Sequence, residues 1–120
     1  AAAVLGLTQF DEAVFRNQIQ EIRVPCFNHL VFVFKDGKRE EFYRHIVEQG
    51  IDTASREEAG NRKYDYYYPT DSEQDLCLLE LWDSREAQKI HGTTAHYQKL
   101  SDLKATYVTN AEIHIYDLAE

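Results

Sequence analysis

The chain has 120 residues, 43% of them hydrophobic and 28% charged, a composition that fits one globular domain and excludes a disordered or fibrous segment. Its 21 Asp and Glu against 13 Lys and Arg leave a net charge of −8, which opposes nucleic acid and anionic membrane surfaces, since both need clustered cations. Cys26 and Cys77 are too few for a disulfide framework and lack CxxC spacing, and no apolar run reaches the roughly 18 residues of a membrane span, so the expected compartment is the cytoplasm.

In chain order, Thr8 followed by Asp11 and Glu12 reads as a helix N-cap with an acidic first turn, and Phe10, Val14, Phe15 and Ile19 form its apolar stripe. Pro25 closes this stretch, so residues 1–26 are expected to be an N-terminal extension with an amphipathic helix, and 27–120 the main domain. Leu30 to Phe34 is a β-branched and aromatic run ended by the Lys35-Asp36-Gly37-Lys38 turn, the pattern of a strand. From Arg39 to about Glu58, Phe42, Ile46, Gln49, Gly50 and Thr53 share one helical face. Gly60-Asn61 ends that helix. Lys63 to Tyr68 and Leu76 to Trp82 then form a hairpin around Pro69 and a polar loop. Asp83-Ser84 with Glu86 starts a further helix, which breaks near Gly92-Thr93-Thr94 and resumes with Tyr97, Leu100, Leu103 and Tyr107 on one side. Glu112 to Asp117 alternates polar residues with Ile113 and Ile115, as a half-buried strand does.

The resulting order is β-α-β-β-α-β, an α+β, ferredoxin-like fold with helices on one face of an antiparallel sheet. In the third strand Cys77, Leu79 and Leu81 alternate with Leu76, Leu78, Glu80 and Trp82, so both faces are largely apolar while helices can cover only one. A second copy packed on the other face would form an isologous homodimer.

Several side chains in this frame can carry chemistry. Glu80 and Trp82 are two apart on a strand and point to the same side, and a buried carboxylate there must be hydrogen-bonded or have its pKa raised. His91 and His96 lie five apart, about 140° on an unbroken helix, which rules out a simple i, i+4 metal pair. The Gly92 break lets both rings face one cleft. A zinc site would need a third ligand at recognisable spacing, and the sequence offers none, so no metal is expected. Tyr64 and Tyr66 share a face of the second strand next to Glu80, and Asn28 heads the first strand. No GxGxxG, P-loop, HExxH or GxSxG motif is present, so any catalysis would rest on acid-base groups and an apolar pocket.

From about Asn28 to Asp117 the chain resembles the antibiotic biosynthesis monooxygenase family. The resemblance rests on Lys35-Asp36-Gly37, Glu58-Ala59-Gly60-Asn61 with Tyr64, Glu80-Leu81-Trp82-Asp83-Ser84 with Glu86-Ala87, and His91 to Tyr97. Ala59 and Ala95 stand where the family often has Pro, a difference of backbone punctuation.

The resemblance implies a homodimer whose two sheets form a shared α/β barrel, and oxidation of a phenolic or quinol-like aromatic molecule by O2 with no cofactor. It further implies His91 as the base, Glu80 orienting it, His96 as an auxiliary, and Trp82, Asn28, Tyr64, Tyr66 and Tyr97 as substrate-binding residues. Relatives of this kind also include isomerases of a phosphorylated quorum-signal sugar and haem-degrading enzymes, and a non-catalytic small-molecule-binding dimer is a further alternative.

Overall fold

The computed structural model of the chain describes residues 24–34 and 36–118. The expected N-terminal helix lies outside the described residues. Strand β1 (Cys26–Phe34) is followed by helices α1 (Lys38–Glu48) and α2 (Ile51–Arg56) and strands β2 (Asn61–Tyr67) and β3 (Asp75–Trp82). Helices α3 (Arg85–His91) and α4 (Ala95–Tyr107) then lead into strand β4 (Val108–Asp117). The strands pair antiparallel in the order β2-β3-β1-β4, the ferredoxin-like topology.

Strand β1 alternates buried and half-buried residues along its whole length. Leu30, Phe32 and Phe34 on its helix side join Leu76, Leu78 and Trp82 of β3 in one core with Phe42, Ile46, Ile51 and Leu100 of the helices. Each of these buried aliphatic and aromatic side chains contributes about 1.5–3 kcal/mol relative to exposure.

The single helix expected from Arg39 to about Glu58 is two helices. Gly50 adopts φ +69, a left-handed turn open to glycine without steric cost, and α2 restarts on a new face. Phe42 and Ile46 are buried as expected, but Gln49 and Thr53 are exposed, and Ile51 and Ser55 take the inward positions. The Ser55 hydroxyl donates to the Ile51 carbonyl at 2.7 Å, which satisfies it inside the core.

Strand β4 is longer than its alternation suggested and is exposed rather than half-buried, with Ile113 at 52% and Ile115 at 37% exposure. Among the described residues it is an edge strand paired only with β1, and the helices cover the sheet over β1, β2 and β3. On the opposite face of the sheet, Phe27, Val31, Val33, Leu79 and Leu81 are half-buried, and none of the described helices lies above them. There the His29 ring and the Tyr67 hydroxyl are hydrogen-bonded at 2.9 Å.

Candidate functional site

The strand register builds a polar row across the helix-covered face. Tyr64 of β2 is paired with Glu80 of β3, and Glu80 with Asn28 of β1. All three are buried, at 0%, 5% and 0% exposure. Beside them the Trp82 indole nitrogen donates to Glu80 Oε1 at 2.8 Å. Burial pushes the Glu80 carboxyl above its ordinary range, opposed by the Trp82 hydrogen bond and the nearby His91. The Tyr64 phenol is also pushed up, by burial first and the Glu80 charge second.

Two helix ends bring the histidines over this row. Ser84 caps α3 by accepting from the Ala87 amide, and α3 ends at His91. Thr94 then caps α4: its hydroxyl accepts from the Tyr97 amide at 3.1 Å and donates to the His91 carbonyl at 2.8 Å. This local geometry turns the chain between the histidines, and their ring centroids come within 5.8 Å. His91 packs against Trp82 at 4.9 Å, Tyr97 at 5.1 Å and Tyr64 at 5.5 Å.

The carboxylate that engages both imidazoles is Glu58. Its Oε2 lies 2.5 Å from His91 Nδ1 and 2.6 Å from His96 Nε2. Glu80, expected to orient His91, is instead bonded to Trp82. Two residues after Glu58, Gly60 has a φ of +86 and approaches α3 so closely that a Cβ there would sit 2.8 Å from the Ala87 Cβ. With Glu58 ionised, each imidazole donates one N–H to it. A neutral His91 then carries its proton on Nδ1 and a lone pair on Nε2.

His91 Nε2, Asn28 Nδ2, Tyr64 Oη and Tyr66 Oη are buried and have no hydrogen-bond partner among the described residues. Such orphaned groups are costly unless a water or ligand satisfies them. Nearby, the half-buried Lys104 ammonium lies 5.6 Å from the Phe32 ring and 5.9 Å from the Tyr97 ring. Burial lowers its pKa, and the Glu80 charge opposes that shift.

Asn28, Tyr64, Glu80, Trp82, His91, His96 and Tyr97 therefore gather around one interior region, with Tyr66 at its margin against Tyr64. A cavity of about 140 Å³, lined by Tyr43, Tyr66, Tyr67, Tyr68 and Leu76, lies beyond Tyr64 from the histidines. Glu58 and Lys104 were missed as site residues. Lys104 was legible, four residues after Leu100 on the inward stripe of α4. Glu58 had no periodic signal, because the Gly60 turn alone aims it at α3.

Residues 27–102 match the family model described as antibiotic biosynthesis monooxygenase. The chain belongs to this family. Among solved structures, the same fold recurs in PA3566 from Pseudomonas aeruginosa, 20% identical with a TM-score of 0.73, over 83% of this chain and 99% of that one. Rv0793 from Mycobacterium tuberculosis is 24% identical with a TM-score of 0.70, over 80% and 96%. A protein from Nitrosomonas europaea, described as a candidate antibiotic biosynthesis monooxygenase, is 23% identical with a TM-score of 0.72, over 80% and 91%. At these identities the likeness is one of fold. No curated protein matches the chain. Among the described residues, no helix is long and apolar enough to cross a membrane.

Proposed function

We propose that this family member is an oxygenase that oxidises a phenolic or quinol-like small molecule with O2, using His91 Nε2 as the base. The observation that supports it is the set of orphaned buried groups, His91 Nε2, Asn28 Nδ2 and Tyr64 Oη, on an aromatic-walled polar row. A hydroxylated ring would satisfy all three kinds of group. Its O–H would donate to His91 Nε2, its oxygens would accept from Asn28 and Tyr64, and its faces would pack on Trp82 and Tyr97.

His91 takes the phenolic proton, and the Glu58 carboxylate stabilises the imidazolium that results. The phenolate passes one electron to O2, giving a phenoxyl radical and superoxide. These combine to form a C–O bond at a ring carbon that bears hydrogen. The peroxide takes the proton back from His91, and loss of that ring hydrogen with cleavage of the O–O bond releases water and the quinone. One O2 thus yields one carbonyl oxygen and one water. The Lys104 ammonium, next to the cleft and only half-buried, favours the anionic phenolate.

The test is an oxygen electrode with a panel of phenols and quinols. Oxygen uptake that survives chelators is expected, with His91→Ala lowering it about 100-fold or more. Full turnover by His91→Ala would overturn the base assignment. Turnover of a sugar phosphate without oxygen uptake would replace the reading with an isomerase.

We propose also that the protein acts as a homodimer, supported by the apolar sheet face around Phe27, Val31, Leu79 and Leu81, which none of the described helices covers. Light scattering should give twice the 14.0 kDa chain mass. A monomer at micromolar concentration would refute it.

A further inference from the structure

The Glu58 cluster has a second chemical capacity that the base role does not use. Glu58 Oε2, His91 Nδ1 and His96 Nε2 lie within 4.8 Å of one another. Two imidazoles and one carboxylate are a donor set that first-row transition ions accept at one face, leaving other positions open. A cation about 2.0–2.2 Å from each donor needs them roughly 3–4 Å apart, which small side-chain rotations provide. The elements that carry the donors are fixed by the Gly60 contact and the Thr94 cap. Access is available on this side: His96 is 19% and Glu58 11% exposed, while His91 is 3% exposed.

We propose that Glu58, His91 and His96 form a binding site for a divalent transition-metal ion, and that metal occupancy switches off the base. The second half follows from the tautomer and rests on the functional reading above. Hydrogen-bonded to Glu58, His91 carries its proton on Nδ1 and keeps the Nε2 lone pair facing the aromatic row. A metal bound at Nδ1 needs a lone pair on Nδ1 itself, so the proton must leave that nitrogen and sit on Nε2. The base becomes an N–H donor. One imidazole thus joins two mutually exclusive states, a metal on its outer nitrogen or proton acceptance at its inner one.

Titration of the tag-free, metal-stripped protein with Co2+ tests the site, read by the visible d–d bands, with Zn2+ displacement as the second measurement. One ion per chain is expected. His96→Ala and Glu58→Gln should each weaken binding by about 10-fold or more, as loss of metal-supporting groups does. His114→Ala removes an exposed histidine that pairs with Glu112, away from the cluster, and should leave binding unchanged. Absence of saturable one-to-one binding, or equal affinity in His96→Ala, would overturn the site. Nitrogen NMR of the Zn2+-loaded protein tests the switch: His91 Nε2 should change from a bare to a protonated nitrogen, and an unchanged tautomer would overturn it. Metal binding with a fully active His91→Ala enzyme would retain the site and reject the base reading, so the two failures are distinguishable.

Discussion

Replacing Gly60 with Ala tests whether the turn after α2 sets the site. The new Cβ would lie 2.8 Å from the Ala87 Cβ, at a backbone φ of +86. A left-handed non-glycine residue costs about 1–2 kcal/mol, and an extra methyl in a filled space about 1–3 kcal/mol. Reduced freedom of the unfolded chain returns about 0.4–1 kcal/mol. The net expected loss is about 1 to 5 kcal/mol, measured by urea unfolding at pH 7. In an Ala87→Gly background the clash is gone and only the backbone strain remains, so Gly60→Ala should there cost about 1 kcal/mol. Equal costs in the two backgrounds would refute the packing argument, and no cost in either would refute the role of the turn. Because Glu58 is two residues away, the single variant should also loosen its bonds to both imidazoles, visible as a change in their nitrogen shifts.

Glu58→Gln should redistribute the His91 proton between its two nitrogens, seen by nitrogen NMR, and lower kcat/KM by about 10²–10⁴ on an accepted substrate. Trp82→Phe keeps most of the ring but removes the donor to Glu80, and urea unfolding should show a loss of about 1.5–3 kcal/mol that shrinks when Glu80 is also Gln. Glu80 sets a pH dependence. Its folded pKa lies above the ordinary 4.5, so its stabilising contribution is complete below about that pH and is lost as pH rises through the folded value. Glu80→Gln has no proton to lose, so its stability relative to the parent should increase between pH 4 and 7. A constant difference across that range would contradict a raised Glu80 pKa.

The fold was legible where periodicity and turn chemistry agreed. The apolar alternation of Leu76 to Trp82, the Pro69 loop and the Asp83-Ser84 cap each correspond to the strand, hairpin and helix start observed. The break after Glu48 was not, because Gln49 and Gly50 continue a helical pattern while the left-handed Gly50 rotates the next turn to bury Ile51. The exposure of β4 depended on which strands the helices cover, a tertiary fact absent from Ile113 and Ile115 themselves. Glu80 beside Trp82 was readable from their two-residue spacing, and their hydrogen bond joins them. The third group beside the two histidines, Glu58, has no recognisable spacing to them. Glu58 stands 33 residues before His91, and only the hairpin between them makes them neighbours.

That hairpin bears on how the molecule assembles. Glu58 precedes β2 by a short turn and His91 follows β3 by one short helix, so zipping the two strands draws the future partners together. The effective loop to be closed is then far shorter than the 33-residue separation, and the ordering entropy that remains is correspondingly small. Hairpins form in about 1–10 μs, whereas pairing β1 with β4 joins the two ends of the domain and belongs to the slow, non-local part of folding. The histidine–carboxylate cluster is therefore organised by the most local portion of the sheet. Nascent Glu58–His91 contact is expected early on the folding path, before the edge strand docks.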